Sequence, residues 1–298
     1  MPVLLSETID QFIVTRRAAR YSPHTLNDYQ NTYRKFRAHL GCDLPFSAID
    51  VSHIVQFMAS DPVASVSKKT ALNYHTGLSS LWSWAVKRNL VENNIVRLVE
   101  PPSPEQREII PYTRSEIVRL LTTAYASRNK QRDEAILLTL LDTGIRASEI
   151  CIVKIQDANR YERRLNVYGK GDKERQVKLS HRTIDSIFTY LETRGIRNHR
   201  KFRQAPLFLT IQNKQMSRNT IRLLMDRLED RSEVYNVYAH RFRHTFAITF
   251  LRNGGNIYTL QKLLGHTTLE MVRRYLKISQ IDLDNDHDRA SPVANWGI

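Results

Sequence analysis

His240-Arg241-Phe242-Arg243-His244, read together with Gly265-His266 and with Tyr275 nine residues further on, is the stretch from which this chain is best understood. His240 and Arg243 stand at i and i+3, which puts them on one face of a helix predicted from 240 to about 252. Gly254-Gly255 ends that helix, a short one follows over 258–264, and Thr267-x-x-Glu270 reads as a capping box opening the helix that carries Tyr275. Upstream, Thr143-Gly144-Ile145-Arg146-Ala147-Ser148-Glu149 closes an apolar helix, 135–141, at a glycine suited to a left-handed cap. Arg146 therefore sits on the turn into the next helix.

The order Arg146…His240-x-x-Arg243…His266…Tyr275 gathers two guanidinium forks, two imidazoles and a phenol. Cleaving a phosphodiester without a metal makes three demands: extra negative charge must be stabilised, a nucleophile must lose a proton, and the departing 5′ oxygen must gain one. Arginine matches two phosphate oxygens and stays charged at any relevant pH. Each such group is worth about 3–4 kcal/mol in the transition state. Tyr275, one of 13 tyrosines, is the candidate nucleophile. A free phenol ionises only near pH 10, so it needs nearby cations. Arg146, Arg243 and phosphate-bound histidines are expected to supply them, because Arg273 and Arg274 are helical neighbours that do not share the tyrosine's face. A neutral His266 can hydrogen-bond the phosphate or the nucleophile. Glu149 is either an orienting partner of Arg146 or a simple salt bridge.

Two strands, 164–168 and 175–179, flank Gly169-Lys170-Gly171-Asp172-Lys173 and predict a hairpin with a glycine-rich tip. Lys170 is the candidate acid for the leaving oxygen, and Lys173 can serve instead. Both lysines could equally be phosphate contacts without a chemical role. His240 and His244, at i and i+4, also suit half of a zinc site. That site needs a glutamate after the first histidine, and the residue here is Arg241. No metal and no cofactor are therefore expected, and His244 is assigned to local packing or hydrogen bonding.

The chain has 298 residues, enough for two domains. Pro101, Pro102, Pro104 and Pro111 mark a linker at 98–112. Before it, residues 1–97 read as about four helices. Ser22-Pro23 starts one with a cap and a first-turn proline, and Leu26, Tyr29, Tyr33, Phe36 and Leu40 form its apolar stripe. Another runs from Ser67 to about residue 88, with Leu72, His75, Leu78, Leu81, Trp82 and Ala85 on its core face. After the linker, residues 113–298 read as a mixed α/β domain with a C-terminal tail. Thr113-x-x-Glu116 caps a helix over 115–124, and Ser217 opens one to about 229. The fold class is mainly α with a small β-sheet.

Net charge is +15. Residues 1–100 hold 11 Lys/Arg and 8 Asp/Glu, a net of +3, so the remainder of the 45 and 30 leaves +12 on residues 101–298. So basic a surface predicts a polyanionic partner. Lys68, Lys69, Asn73 and Lys87, off the apolar stripe of their helix, are candidate nucleic-acid contacts. The two cysteines, Cys42 and Cys151, form no Cys-x-x-Cys pair, which fits a reducing compartment. No run approaches the roughly 20 apolar residues of a membrane span, and the N-terminus lacks a signal-peptide pattern. A cytoplasmic, nucleoid-associated protein is expected.

The Gly-Ile-Arg-Ala-Ser-Glu box, the His-x-x-Arg and Gly-His motifs and the following tyrosine resemble those of the tyrosine site-specific recombinases, the phage integrase and Xer family. The resemblance runs over nearly the whole chain. It implies a helical core-binding domain and a catalytic domain that grip opposite faces of double-stranded DNA. It implies catalytic roles for Arg146, Lys170, His240, Arg243, His266 and Tyr275, with Glu149 and Lys173 in support. Four protomers would assemble on inverted-repeat core sites, with accessory DNA-bending proteins as further partners. Tyr275 would join the DNA as a 3′-phosphotyrosine, and a Holliday junction would follow, with no need of ATP or a divalent metal. No room is expected for the extra arm-binding domain of larger phage integrases. Xer proteins usually show Thr-Thr-x-x-Tyr-Thr-His around the tyrosine, whereas Glu270-Met271-Val272-Arg273-Arg274-Tyr275-Leu276-Lys277 stands here. That departure favours integration or excision of a mobile element over resolution of chromosome or plasmid dimers. A type IB topoisomerase, a catalytically silent DNA-binding regulator and a metal nuclease are the rivals.

Overall fold

Side-chain caps at Ser22, Ser67, Thr113, Ser180 and Ser217 fix where five of the helices begin. In the computed structural model, which describes residues 2–105, 108–169, 174–279 and 291–296, the chain divides into two units, 1–107 and 108–298. In the first, α1 (Leu5–Ala18), α2 (Pro23–Leu40), α3 (Val51–Ala59), the single turn α4 (Asp61–Ala64) and α5 (Lys68–Val86) follow one another. Ser22 accepts from the Thr25 amide, Pro23 takes the first turn, and Gly41 ends α2 in the left-handed region. Ser67 caps α5 in the same way. The predicted stripes face inward. Phe12, Tyr33, Phe36, Phe57 and Trp82 are each at most 1% exposed, and their rings meet edge to face, as Phe12 does with Tyr33 at 5.7 Å. Each such buried side chain contributes about 1.5–3 kcal/mol. His75 lies in this core with Nε2 donating to the Val96 and Val99 carbonyls, at 3.1 and 2.9 Å.

The second unit is built on α7 (Lys130–Thr143), which is buried nearly all round through Ala135, Ile136, Leu137, Leu138 and Leu140. Its first turn, 130–134, is polar, so the apolar run predicts only the later part. Before it lies α6 (Arg114–Tyr125), with the expected Thr113–Glu116 capping box. After α8 (Ala147–Ile150) comes an antiparallel sheet, β1 (Ala158–Asn159), β2 (Arg164–Tyr168) and β3 (Glu174–Lys178), in that order. Leu165 pairs with Val177 and Val167 with Arg175. β3 begins one residue earlier than its pattern predicts. Two helices follow, α9 (His181–Thr193), which the motif-led reading passed over, and α10 (Arg218–Ser232). The tip lysines Lys170 and Lys173 lie outside the described residues.

The last stretch contains α11 (Ala239–Arg252), α12 (Ile257–Leu264), α13 (Glu270–Ser279) and α14 (Pro292–Trp296). α11 joins two apolar clusters. Phe242 belongs to the main core, while Ala247, Ile248 and Leu251 form a smaller one with Leu260, Leu264, Val272 and Tyr275. The Thr267 capping box does not form. The Leu269 carbonyl accepts from the Arg273 amide, so α13 starts at Glu270 and residues 267–269 make the turn. No helix among the described residues is long and apolar enough to cross a membrane.

Candidate active site

Gly144, at the end of α7, has φ +61°, and a Cβ there would lie 2.5 Å from the Phe246 ring. Only glycine turns the chain so sharply beside α11. The turn delivers Arg146 to the start of α8. Arg146 then donates twice to Glu149, from its amide to Oε2 at 2.7 Å and from Nη1 to Oε1 at 3.0 Å. Its side chain remains 33% exposed, so the guanidinium is held on one edge and open on the other.

Arg175 on β3 was not singled out by its motif, and it completes this group. It grips Glu149 with two nitrogens, at 3.0 and 2.8 Å, and its Nε donates to the Leu263 carbonyl at 2.7 Å. Glu149 is thus both an orienting partner and a salt bridge, since one carboxylate binds two guanidinium groups. Burial works to raise its pKa, but the Arg175 bonds, the Arg146 amide and both positive charges outweigh burial and hold it below the ordinary value. Gly265, at φ +64°, leaves the gap through which Arg175 reaches α12, since a Cβ there would stand 3.2 Å from Nη1.

Arg243 is 1% exposed. Its Nη1 donates to the Gly144 carbonyl and its Nη2 to the Leu264 carbonyl, both at 2.7 Å. These bonds tie the Arg146 turn to the end of α12. Nη2 also lies 2.7 Å from His266 Nε2. A guanidinium can only donate, so Nε2 accepts and the His266 proton sits on Nδ1. Arg243 Nε and His266 Nδ1 are both buried, with no hydrogen-bond partner among the described residues. Burial, then the Arg146 charge, lowers Arg243 to about 10. Burial and Arg243 lower His266 to about 4, so it is neutral near pH 7.

His240 opens α11 on its exposed side, and its ring packs edge to face on His244 at 4.4 Å. Partial desolvation of the imidazole among its neighbours, then the Arg243 and Arg146 charges, lower its pKa. Tyr275 on α13 is 3% exposed. Its phenol lies 3.0 Å from His244 Nδ1. The local packing assigned to His244 is present, on His240, but its hydrogen bond is not local: that partner stands 31 residues away on another helix. The phenol's pKa is raised by burial, and Arg243, Arg274 and Arg146 offset this only in part. Arg274 thus acts on the phenol although it shares no helix face with it. Charge acts over distances at which packing does not.

Arg146, His240, Arg243, His266 and Tyr275 are brought together. Lys68, Lys69, Asn73 and Lys87 are exposed on α5 or at its end, in the first unit, with Lys68 Nζ 3.7 Å from Glu105. Among the described residues, no group of three or more His, Cys, Asp and Glu converges as a metal site. Arg241, which displaces the zinc pattern, is buried under its own partners. It donates to the Ile110 and Tyr235 carbonyls and to Glu116, and it lies 4.0 Å from the Tyr112 ring centre.

Residues 112–280 match the phage integrase family. Tyrosine recombinase XerC of Pelobacter propionicus is 30% identical over 278 residues, 92% of this chain and 91% of that protein. Among solved structures, the Tn1549 transposon integrase in complex with transposon right end DNA superposes with a TM-score of 0.79, 17% identity, and 97% and 99% of the two chains covered. A lambda integrase tetramer bound to a Holliday junction gives 0.70, 18% identity, and 89% and 78% covered. At those identities the two structures attest the fold. The chain belongs to the phage integrase family. Within it, this is a tyrosine recombinase, an enzyme of site-specific DNA cleavage and religation.

Proposed function

We propose that Tyr275 is the nucleophile and that Arg146, Arg243, His240 and His266 bind the scissile phosphate. The observation that carries this reading is the buried, uncompensated cation. Arg243 is held by carbonyls and a neutral histidine, and among the described residues its Nε has no partner and no carboxylate is bonded to it. A phosphate supplies the missing anion and acceptors. Tyr275 then attacks phosphorus, the P–O5′ bond breaks, and a 3′-phosphotyrosine forms. Lys170 is the proposed donor to the leaving oxygen, with Lys173 beside it in sequence. Bond energy held in the phosphotyrosine drives religation, so the step calls for neither ATP nor a metal.

The partner is double-stranded DNA with inverted-repeat core sites. Residues 1–97 serve as the core-binding domain, with Lys68, Lys69, Asn73 and Lys87 as contacts, and residues 113–298 as the catalytic domain beyond a linker at 98–112. Strand exchange through a Holliday junction needs four protomers, and accessory DNA-bending proteins are further candidates. Such work places the protein at the nucleoid, in the cytoplasm. The Arg273-Arg274-Tyr275-Leu276-Lys277 surroundings of the nucleophile favour integration or excision of a mobile element. The 30% identity to a XerC protein favours a second reading, resolution of chromosome or plasmid dimers.

Incubation with end-labelled fragments from the flanks of its own gene, in EDTA, followed by a denaturing gel, tests the chemistry. A protein–DNA adduct that disappears in Tyr275→Phe is expected. An adduct surviving that substitution removes Tyr275 as nucleophile. Trapped ends bordering the gene support a mobile element, and a trapped site at a distant chromosomal locus supports dimer resolution. A footprint without an adduct on any fragment supports a silent regulator.

A further inference from the structure

The unsettled step is where the Tyr275 proton goes, and the positions of the three histidines answer it. His266 accepts at Nε2 from Arg243 and carries its own proton on Nδ1, so it has no lone pair for the phenol. His240 packs against His244 and makes no described contact with Tyr275. His244 Nδ1 is 3.0 Å from the phenol oxygen, with the two rings 5.6 Å apart. In the neutral ring with its proton on Nε2, Nδ1 carries a lone pair and accepts the phenol's hydrogen.

We propose that His244 is a catalytic residue, the base that takes the Tyr275 proton during cleavage and returns it during religation. This rests on Tyr275 being the nucleophile. In the forward step the O–H bond of Tyr275 breaks as the O–P bond forms. Nδ1 gains the proton, the P–O5′ bond breaks, and the 5′ oxygen is protonated separately by the general acid. In the return step the 5′ hydroxyl gives its proton back to the deprotonated general acid as its oxygen attacks phosphorus, the O–P bond to Tyr275 breaks, and the departing phenolate recovers its proton from His244. No proton is gained or lost over the cycle.

The surroundings agree with this role. Burial, then the charges of His240, Arg274 and Arg243, lower His244 to about 4. Those groups, with Tyr275, are the titratable and charged neighbours from α11 and α13. The ring is therefore neutral near pH 7 and free to accept. An imidazolium formed there is disfavoured by the same cations until the DNA phosphate arrives among them. The base is thus strengthened only when substrate is bound, which protects an idle enzyme from a reactive phenolate.

The test uses the trapped DNA site with sulfur in place of the 5′-bridging oxygen, a leaving group that needs no protonation. His244→Ala and His244→Asn are compared with the intact protein, each first checked for its melting temperature and for DNA binding. Loss of a general base costs about 10²–10⁴-fold. Both variants are expected to cleave at least 100-fold more slowly at pH 7, with no rescue by sulfur. A general-acid defect, as in Lys170→Ala, is rescued by it. Their rates should rise about tenfold per pH unit as hydroxide replaces the missing base. Asn keeps an acceptor oxygen near the Nδ1 position but cannot take the proton. Full activity in His244→Asn, or rescue of either variant by sulfur, overturns the proposal.

A DNA-free measurement separates this from the parent reading. In ¹⁵N-histidine spectra at pH 7, His244 should carry its proton on Nε2, with an Nδ1 signal that moves in Tyr275→Phe. A proton found on Nδ1 overturns the proposal even if Tyr275 proves to be the nucleophile. An adduct surviving in Tyr275→Phe overturns both.

Discussion

Arg132 and Arg243 are both buried, at 7% and 1% exposure, in the same unit, yet their partners differ in kind. Arg132 donates twice to Asp133, at 3.0 and 2.8 Å, and once to the Leu209 carbonyl. Arg227 and Ser127 bond the other oxygen of Asp133, which has no exposure at all. There an internal anion compensates the buried charge. Around Arg243 the acceptors among the described residues are two carbonyls and a histidine nitrogen, and Nε has no partner among them. A buried charge completed from within serves the fold. One left incomplete awaits something from outside.

Asp133→Ala should produce the largest effect on the fold, because it strands two guanidinium groups. A loss of about 3–5 kcal/mol is expected in urea unfolding. A loss below about 1 kcal/mol would erase the contrast. Arg243→Met should reverse the pattern. Cleavage is expected to fall about 10²–10³-fold, the cost of one transition-state donor. Stability should fall by less than about 2 kcal/mol, since only bonds to two carbonyls and a neutral imidazole are lost. Equal losses in the two variants would mean that Arg243 is as structural as Arg132.

Acid probes the same contrast more gently. His244 and His266 are each lowered to about 4 in the fold, against an ordinary value of about 6.5. The unfolded chain therefore takes up protons below about pH 6.5 while the folded site refuses them until about pH 4. Stability is fully present above 6.5 and falls as pH drops through that window. The shifts allow about 3 kcal/mol per ring, and partial solvent access reduces that to roughly 1–2. Thermal melts at pH 7, 5.5 and 4.5 should show the decline, and a flat profile would contradict the neutral site. Bound DNA should restore part of the loss by adding an anion.

Smallest of all is the effect expected at the exposed Lys69. Lys69→Ala should weaken DNA binding uniformly and reduce the slope of log affinity against log salt by about 1. An unchanged slope would remove Lys69 from the phosphate contacts.

Much of the site was legible in order and spacing. The Gly144 turn, the His240-Arg243 face and the Tyr275 helix all lie in local patterns. Arg175 was not legible. It reads as one of many lysines and arginines on a strand, and only the pairing of β2 with β3 brings it to Glu149 and Leu263. His244 was legible only in its packing on His240, for the same reason. Its partner lies two helices away, and no i, i+4 rule reaches across Gly254-Gly255. The Thr267 box failed because the turn after His266 takes residues 267–269, so that α13 begins at Glu270 and Tyr275 packs with Leu260 and Leu264. Burial of that apolar face outweighs a cap worth about 1 kcal/mol.

The sequence by itself determined which chemical groups are present, their order, and the helices and hairpin that carry them, because caps, glycines and apolar periods act within a few residues. Only the tertiary structure decided which groups lie within hydrogen-bond distance and which cation is buried without a bonded carboxylate among the described residues. Hydrogen bonding and desolvation depend on distances between residues far apart in the chain, such as Arg243 to Gly144 and His244 to Tyr275.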